Sequence, residues 1–190
     1  MSNNRTLMAA AILGLMAAHT ASAQEAKVVL GPTLLDQCAN AAAEAQKTGN
    51  ADRLALDVCS DAIDRAWATH SEQAVAYLDR GTLNRVAGDN QQALADFTSA
   101  IKDDPSLAAA YNDRGATYSA LHRPAEAVRD YTQALALHAP NAAQVLFNRA
   151  LAYEDQGDTK QAYIDYRAAA ETNPDWDLPA KQLARFAVGH

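Results

Sequence analysis

Arginine and aspartate side chains recur in this chain at a spacing that could pair them. The arginines are Arg80, Arg114 and Arg149, and the aspartates are Asp96, Asp130 and Asp165. A guanidinium group binds a carboxylate through two parallel hydrogen bonds, and it could equally hold an anionic ligand. A catalytic site would not be expected three times in register. We therefore interpret the series as ion pairs within a structural repeat, with ligand binding by the arginines as the alternative.

Other residue types that perform chemistry do not form recognisable sites. None of the four histidines from His70 to His190 lies three or four positions from another, as a metal site on one helix face would require. The chain has no G-x-S-x-G nucleophile motif and no glycine-rich phosphate loop. We therefore predict that the protein is not an enzyme and that it needs no cofactor and no metal.

The ion-pair residues lie inside a sequence unit that occurs three times in the chain. Each copy has an Arg flanked by Asp or Asn and by a small residue, and then an alanine, an aromatic residue, a second alanine and a closing proline at nearly constant intervals. The opening triplets are Asp79-Arg80-Gly81, Asp113-Arg114-Gly115 and Asn148-Arg149-Ala150, and the aromatic residues are Phe97, Tyr131 and Tyr166. A repeat of roughly 34 residues is typical of stacked helical hairpins.

Turn residues divide the chain into four predicted hairpins and a last helix. The predicted hairpins span residues 33–70, 71–105, 106–140 and 141–174, and residues 175–190 form the last helix. Gly49, Gly88 and Gly157 are expected to end the first helices in the left-handed conformation. The Asn or Asp that follows each glycine could cap the next helix. The predicted helices include 71–87, 106–121, 124–138, 159–172 and one from Asp177 to about Val188.

These units resemble tetratricopeptide repeats, closely from Ala74 to Pro174 and loosely from Leu34 to Trp67. The resemblance rests on the small residues, the aromatic residue and the closing proline of each unit. It implies an all-α fold, a right-handed α-solenoid of about four helical hairpins with a C-terminal capping helix. The chain departs from the pattern at Ala150, which replaces a glycine, and at His122, which replaces the turn glycine.

The resemblance also implies a ligand-binding groove lined by the first helices of the hairpins. The implied lining residues are Leu78, Asp79, Thr82, Asn112, Asp113, Ala116, Phe147, Asn148 and Leu151. Such a mixture of apolar and hydrogen-bonding side chains suits an extended peptide or a partner helix. The alternative is that Asp79, Asp113 and Asn148 only hold adjacent helices together. Family members that clamp acidic chaperone termini need basic residues, and this lining has none at the positions required.

Residues 1–23 have the pattern of a secretory signal peptide, and residues 24–32 form a short leader after it. Arg5 supplies the positive charge, Leu7 to Ala18 form an apolar run too short to span a bilayer, and Ala21-Ser22-Ala23 is a cleavage site. We expect an exported bacterial protein, periplasmic in a diderm organism and otherwise secreted, with no membrane span. Loss of Arg5 would take the net charge from −7 to −8, which argues against a nucleic-acid partner.

Two cysteines remain, and export would carry them into an oxidising compartment. Matching the first unit to the later ones places Cys38 on a first helix and Cys59 on the facing second helix. We therefore predict a disulfide between them. A redox pair or a set of metal thiolates is the alternative, although the sequence contains neither a C-x-x-C motif nor four clustered ligands.

Together these features predict an exported protein-interaction scaffold or adaptor that binds a peptide segment or a partner helix in its groove. The tyrosines leave open a receptor for small molecules or glycans from the cell envelope. An assembly factor that holds an unfolded client is a further alternative. The sequence predicts neither the identity of the partner nor the oligomeric state.

Overall fold

The computed structural model describes residues 32–64 and 69–187, and all regular structure within these ranges is α-helical. The helices are α1 (Leu34–Thr48), α2 (Arg53–Asp64), α3 (His70–Val86), α4 (Asn90–Asp103), α5 (Ala108–Ala120), α6 (Pro124–Ala136), α7 (Ala142–Asp155), α8 (Thr159–Thr172) and α9 (Asp177–Ala187). The predicted signal peptide, nearly all of the leader, Trp67 and Val188 lie outside the described residues. None of the described helices combines the length and apolar character that crossing a lipid bilayer requires.

The helices pack as consecutive antiparallel hairpins, and together they form an α-solenoid. Helices α1 and α2, α3 and α4, α5 and α6, and α7 and α8 pair with each other, and each hairpin also contacts the next. Helix α9 packs on α8 at the end of the array. The all-α solenoid with a terminal helix is therefore confirmed.

Local turn chemistry sets the ends of the helices. Gly88 and Gly157 adopt φ of 84° and 77°, and His122 takes the same role with φ of 55°. The Asp89 and Asp158 side chains then accept backbone hydrogen bonds at the starts of α4 and α8. In the first hairpin the cap is Asp52, which accepts from Ala55 N at 2.7 Å. Asn50, which directly follows the glycine, is not the capping residue there.

Helices α5 and α6 are shorter than the sequence predicts. Helix α5 begins at Ala108 because the Asp104 side chain first accepts hydrogen bonds from the backbone N–H and the hydroxyl of Ser106, which form a turn. Helix α6 ends at Ala136 because His138 adopts a left-handed φ of 57°, which a continuing helix does not allow. The stretch from Asp113 to Pro140 is one residue longer than the matching stretch from Asp79 to Pro105, and the turn at His138 lies within it.

An aromatic side chain fills the junction of each of the last three hairpins. Phe97, Tyr131 and Tyr166 are buried, with at most 2% of each exposed. A Cβ atom added to Gly81 would lie 2.7 Å from the ring of Phe97, so the glycine is required by close approach. These aromatic residues therefore pack in the interior of the array.

In the first hairpin a disulfide occupies the aromatic position. Cys38 and Cys59 are bonded to each other, and their Cα atoms are 4.8 Å apart. Both cysteines are fully buried and pack with Leu83 of the next hairpin. The predicted disulfide is therefore present, and it joins α1 to α2.

The repeated arginines form the predicted ion pairs within each hairpin. Each guanidinium donates two hydrogen bonds or more to its aspartate, with closest N···O distances of 2.7 Å. The pairs are Arg80–Asp96, Arg114–Asp130 and Arg149–Asp165. Each arginine also donates to a hydroxyl of the preceding hairpin, on Ser60, Thr98 or Thr132. The arginine therefore fixes the rotation of each first helix against two hairpins.

Candidate functional site

The first helices of the last three hairpins lie next to one another. Helix α3 contacts α5, and α5 contacts α7. Each arginine points to its second helix, and successive residues on a helix are rotated by about 100°. Asp79, Asp113 and Asn148, which directly precede the arginines, are therefore turned toward a common surface. We call this surface the first-helix face, and it consists of Leu78, Asp79, Thr82, Asn112, Asp113, Ala116, Phe147, Asn148 and Leu151.

The residues of the first-helix face differ in how much surface they offer. Leu151 is 39% exposed, whereas Thr82 is only 2% exposed and offers almost none. The other members are half-buried. The face is therefore a shallow mixed surface in which apolar side chains flank polar ones.

Asp79 and Asp113 are electrostatically coupled across α3 and α5. Burial, together with the negative charge of Asp113, raises the pKa of Asp79 to about 6. Burial also raises the pKa of Asp113, although the charge of Arg85 and a hydrogen bond from Asn112 act in the opposite direction. The Asn112 side-chain amide donates to Asp113 Oδ1 at 2.9 Å. Sequence reasoning named both aspartates but did not predict this coupling.

Hydrogen-bond acceptors on this face lack donors. Among the residues that the structure describes, Asp79 Oδ2 and Asn112 Oδ1 are shielded from solvent and accept no hydrogen bond. Arg85 Nε is likewise shielded, with no acceptor within the described ranges. An unpaired buried acceptor costs about 1–3 kcal/mol relative to a satisfied one. Solvent reaches none of these three atoms, so their missing partners lower the stability of the face within the protein itself.

An aromatic cluster lies at the α7 end of the face. The Phe147 ring packs against Tyr166 at a centroid distance of 5.3 Å and against Trp176 at 4.9 Å. Trp176 also lines a surface cavity of about 490 Å³ beside the start of α7, together with Gln144 and Asn173. Sequence reasoning missed Trp176. The available signal was a tryptophan two residues after the closing proline of the last repeat.

A second apolar surface lies where α9 covers α8. Tyr163 and Ile164 are 41% and 38% exposed, and they line a cleft of about 810 Å³ with Leu183 and Phe186. The Tyr166 hydroxyl donates to Glu154 Oε2 at 2.5 Å, which connects α8 to α7.

Across residues 32–64 and 69–187, no group of three or more His, Cys, Asp and Glu side chains could hold a metal ion.

Comparison with known proteins identifies the repeat. Residues 143–176 match the family model described as tetratricopeptide repeat. A MamA double mutant (MamA RS-1 ArsTM) matches with a TM-score of 0.63 and 19% identity, over 80% of this chain and 82% of its own.

Two further solved structures match a shorter part of the chain. The first tetratricopeptide domain of Spaghetti (RPAP3), bound to the HSP90 peptide SRMEEVD, matches with a TM-score of 0.58 and 21% identity. That match covers 62% of this chain and 92% of the Spaghetti domain. The N-terminal domain of stress-induced protein-1 from C. elegans has a TM-score of 0.57 and 21% identity, over 62% of this chain and 97% of its own. The similarity to all three is one of fold.

Proposed function

Because residues 143–176 match the tetratricopeptide repeat model, we propose that the protein is an interaction scaffold, not an enzyme, and that it holds a peptide segment or helix of a partner on the first-helix face. The observation that carries the proposal is the side-by-side placement of accessible apolar and amide side chains on α3, α5 and α7. Leu78, Asn112 and Leu151 are all at least partly exposed there. An extended segment crossing three helices could place apolar anchors on the leucines and bond its backbone to the amides.

The fold comparison supports a peptide as the ligand. The Spaghetti domain shares the fold and is bound to an HSP90 peptide. Its identity to this chain is only 21%, so it indicates the kind of ligand and not its sequence. The mixed lining, spread over three helices, suits a chain segment better than a compact small molecule.

The test uses the mature protein, residues 24–190, and an unbiased displayed library of random peptides. The triple variant Leu78→Ala, Asn112→Ala and Leu151→Ala removes the accessible anchors. We leave Phe147 intact because it packs on Tyr166 and Trp176, and its loss would disturb the fold. Peptides selected on the unmodified protein should lose at least about tenfold in affinity for the triple variant, since each lost anchor costs of the order of 1 kcal/mol.

A matched control locates the site. The variant Leu54→Ala with Ile164→Ala removes exposed apolar side chains on α2 and α8 and should leave the affinity unchanged. If this control lost binding and the triple variant retained it, the ligand would bind to another surface, such as the cleft between α8 and α9. A library that yields no peptide, combined with saturable thermal stabilisation by muropeptides or sugars, would favour the receptor for envelope fragments.

We further infer that the scaffold acts outside the cytoplasm, in the periplasm or as a secreted protein. Support comes from the signal-peptide pattern of residues 1–23 and from the buried disulfide, which is typical of oxidising compartments. Mass spectrometry of protein expressed in its own cells should find an N-terminus at Gln24 and a mass lower by two hydrogen atoms than after reduction. An intact N-terminus with free thiols in freshly prepared protein would contradict export.

A further inference from the structure

The cavity of about 490 Å³ beside the start of α7 is a second candidate binding site, and no member of the first-helix face lines it. One wall is formed by residues 140–144, and the other by Thr172, Asn173 and Trp176, at the end of α8 and in the turn before α9. Pockets that hold small ligands have volumes of about 300–1,000 Å³. The cavity is therefore large enough for a small ligand, and the proposed function makes no use of it.

Trp176 supplies an aromatic surface to this cavity. The residue is half-buried, and its ring packs against the Phe147 ring at a centroid distance of 4.9 Å. Its backbone N–H donates to the carbonyl oxygen of Asn173 at 3.1 Å. These contacts hold the indole in place before any ligand arrives, so a ligand that stacks on it need not pay for ordering the ring.

Three side-chain amides line the same cavity. They belong to Asn141, Gln144 and Asn173, and all three residues are exposed. Asn141 directly precedes α7, but its side chain does not cap that helix, whereas Asp158 caps α8. An amide group both donates and accepts hydrogen bonds, and so does a hydroxyl group. The cavity therefore presents groups that match a ligand rich in hydroxyls.

The residues that line the cavity include no acidic and no basic side chain. Glu171 and Asp177, which adjoin lining residues in the sequence, pair with Arg167 and Lys181. Asp175 is not part of the lining. A charged ligand would find no opposite charge in the lining, and a charge that leaves water without a partner costs free energy. The lining therefore favours an uncharged occupant.

We propose that this cavity binds a neutral saccharide. The C–H groups on one face of a pyranose ring would stack on Trp176, because their partial positive charge is attracted to the electron-rich face of the indole. The hydroxyl groups at the rim of the sugar would bond to the amides of Asn141, Gln144 and Asn173. A nucleotide would lack a cation for its phosphate, and a purely apolar ligand would displace water from the amides without replacing its hydrogen bonds.

The experiment first screens the mature protein on an array of neutral, acidic and basic glycans. Neutral glycans should bind, and their charged counterparts should bind more weakly or not at all. Calorimetry then measures the affinity of the best neutral glycan. The chain has two tryptophans, so in the variant Trp67→Phe the fluorescence reports on Trp176 alone. That fluorescence should change saturably as the glycan is added, because the sugar covers the indole.

Two variants of the cavity locate the glycan. Gln144→Ala with Asn173→Ala removes two exposed amides, leaves the contact between Trp176 and Phe147 in place, and should weaken binding about tenfold through the lost hydrogen bonds. Trp176→Ala should weaken binding at least about tenfold, because stacking and apolar burial are both lost. The triple variant of the first-helix face is the matched control and should keep the full affinity. Thermal unfolding of each variant checks that the fold is intact.

The outcomes separate this inference from the proposed function, which concerns a different surface. An array without a neutral binder, or a glycan that binds both cavity variants at full affinity, would overturn the saccharide site and leave the scaffold standing. A clear preference for charged glycans would overturn it as well. If no glycan bound but peptides selected from the library lost affinity for Trp176→Ala, the cavity would be a peptide site and the saccharide proposal would be wrong.

Discussion

Replacing Asp79 by asparagine should stabilise the protein, and the gain should depend on pH. Asp79 carries a negative charge beside Asp113 in a half-buried position, and burial together with that charge raises its pKa from 3.8 to about 6. The folded protein therefore binds the Asp79 proton more tightly than the unfolded chain does. Between these pKa values the unfolded state holds fewer protons, so the free energy of unfolding falls as the pH rises.

The magnitude follows from the size of this shift. A rise of about two units corresponds to about 3 kcal/mol if the charge were fully shielded, since one unit is worth about 1.4 kcal/mol. Asp79 is only half-buried, and solvent screening reduces this value to about 1–2 kcal/mol. This destabilisation is absent below about pH 4, grows between pH 4 and 6, and is complete above pH 6. Asp79→Asn removes it.

Urea unfolding at pH 4 and pH 7.5 measures the effect. At pH 4 Asp79 is protonated and resembles asparagine, so any difference there reports packing alone. The gain of the variant over the unmodified protein should be about 1–2 kcal/mol larger at pH 7.5 than at pH 4. The surface variant Asp57→Asn is the control and should show no comparable change. A gain equal at both pH values, or a loss that grows with pH, would refute the reasoning.

Three further substitutions test how the hairpins are held together. Cys59→Ser opens the disulfide loop, whose ends are 21 residues apart, and should lower the free energy of unfolding by about 3 kcal/mol. Reduction of the unmodified protein should lower it similarly, and an unchanged urea midpoint would contradict the stabilising role. Arg114→Ala leaves the carboxylate of Asp130 buried without its partner and should lower the free energy of unfolding, measured in urea, by about 3 kcal/mol. A decrease below about 1 kcal/mol would argue against a stabilising role of the ion pair. Gly81→Ala would place a Cβ atom 2.7 Å from the Phe97 ring. Calorimetry should show that the free energy of unfolding falls by about 1–3 kcal/mol. An unchanged melting temperature would show that the ring moves freely.

The helices were predictable because their signals are local and repeated. The predicted span of residues 159–172 agrees at both ends with α8, where Gly157 ends the preceding helix and Asp158 caps the next. The predicted end of α6 was wrong by two residues because the left-handed conformation of His138 has no clear sequence signal. Repetition also distinguishes the buried ion pairs from catalytic groups, because a catalytic site would not be expected three times in register.

The candidate site was predictable only in outline. The repeat predicts which side chains share the first-helix face, and their role in binding is part of the proposed function. The burial of Thr82, the coupling of Asp79 to Asp113 and the contact of Trp176 with Phe147 depend on residues far apart in sequence. No local pattern encodes these contacts.

The sequence by itself determined the solenoid, because each hairpin needs only its own small residues, aromatic residue and turn to form. It also determined the arginine–aspartate pairs and the disulfide, since each joins two helices of one hairpin. Only the tertiary structure decided the charge balance of the first-helix face. That balance depends on the distance between neighbouring hairpins, and on whether the packed hairpins place a hydrogen-bond donor beside Asp79.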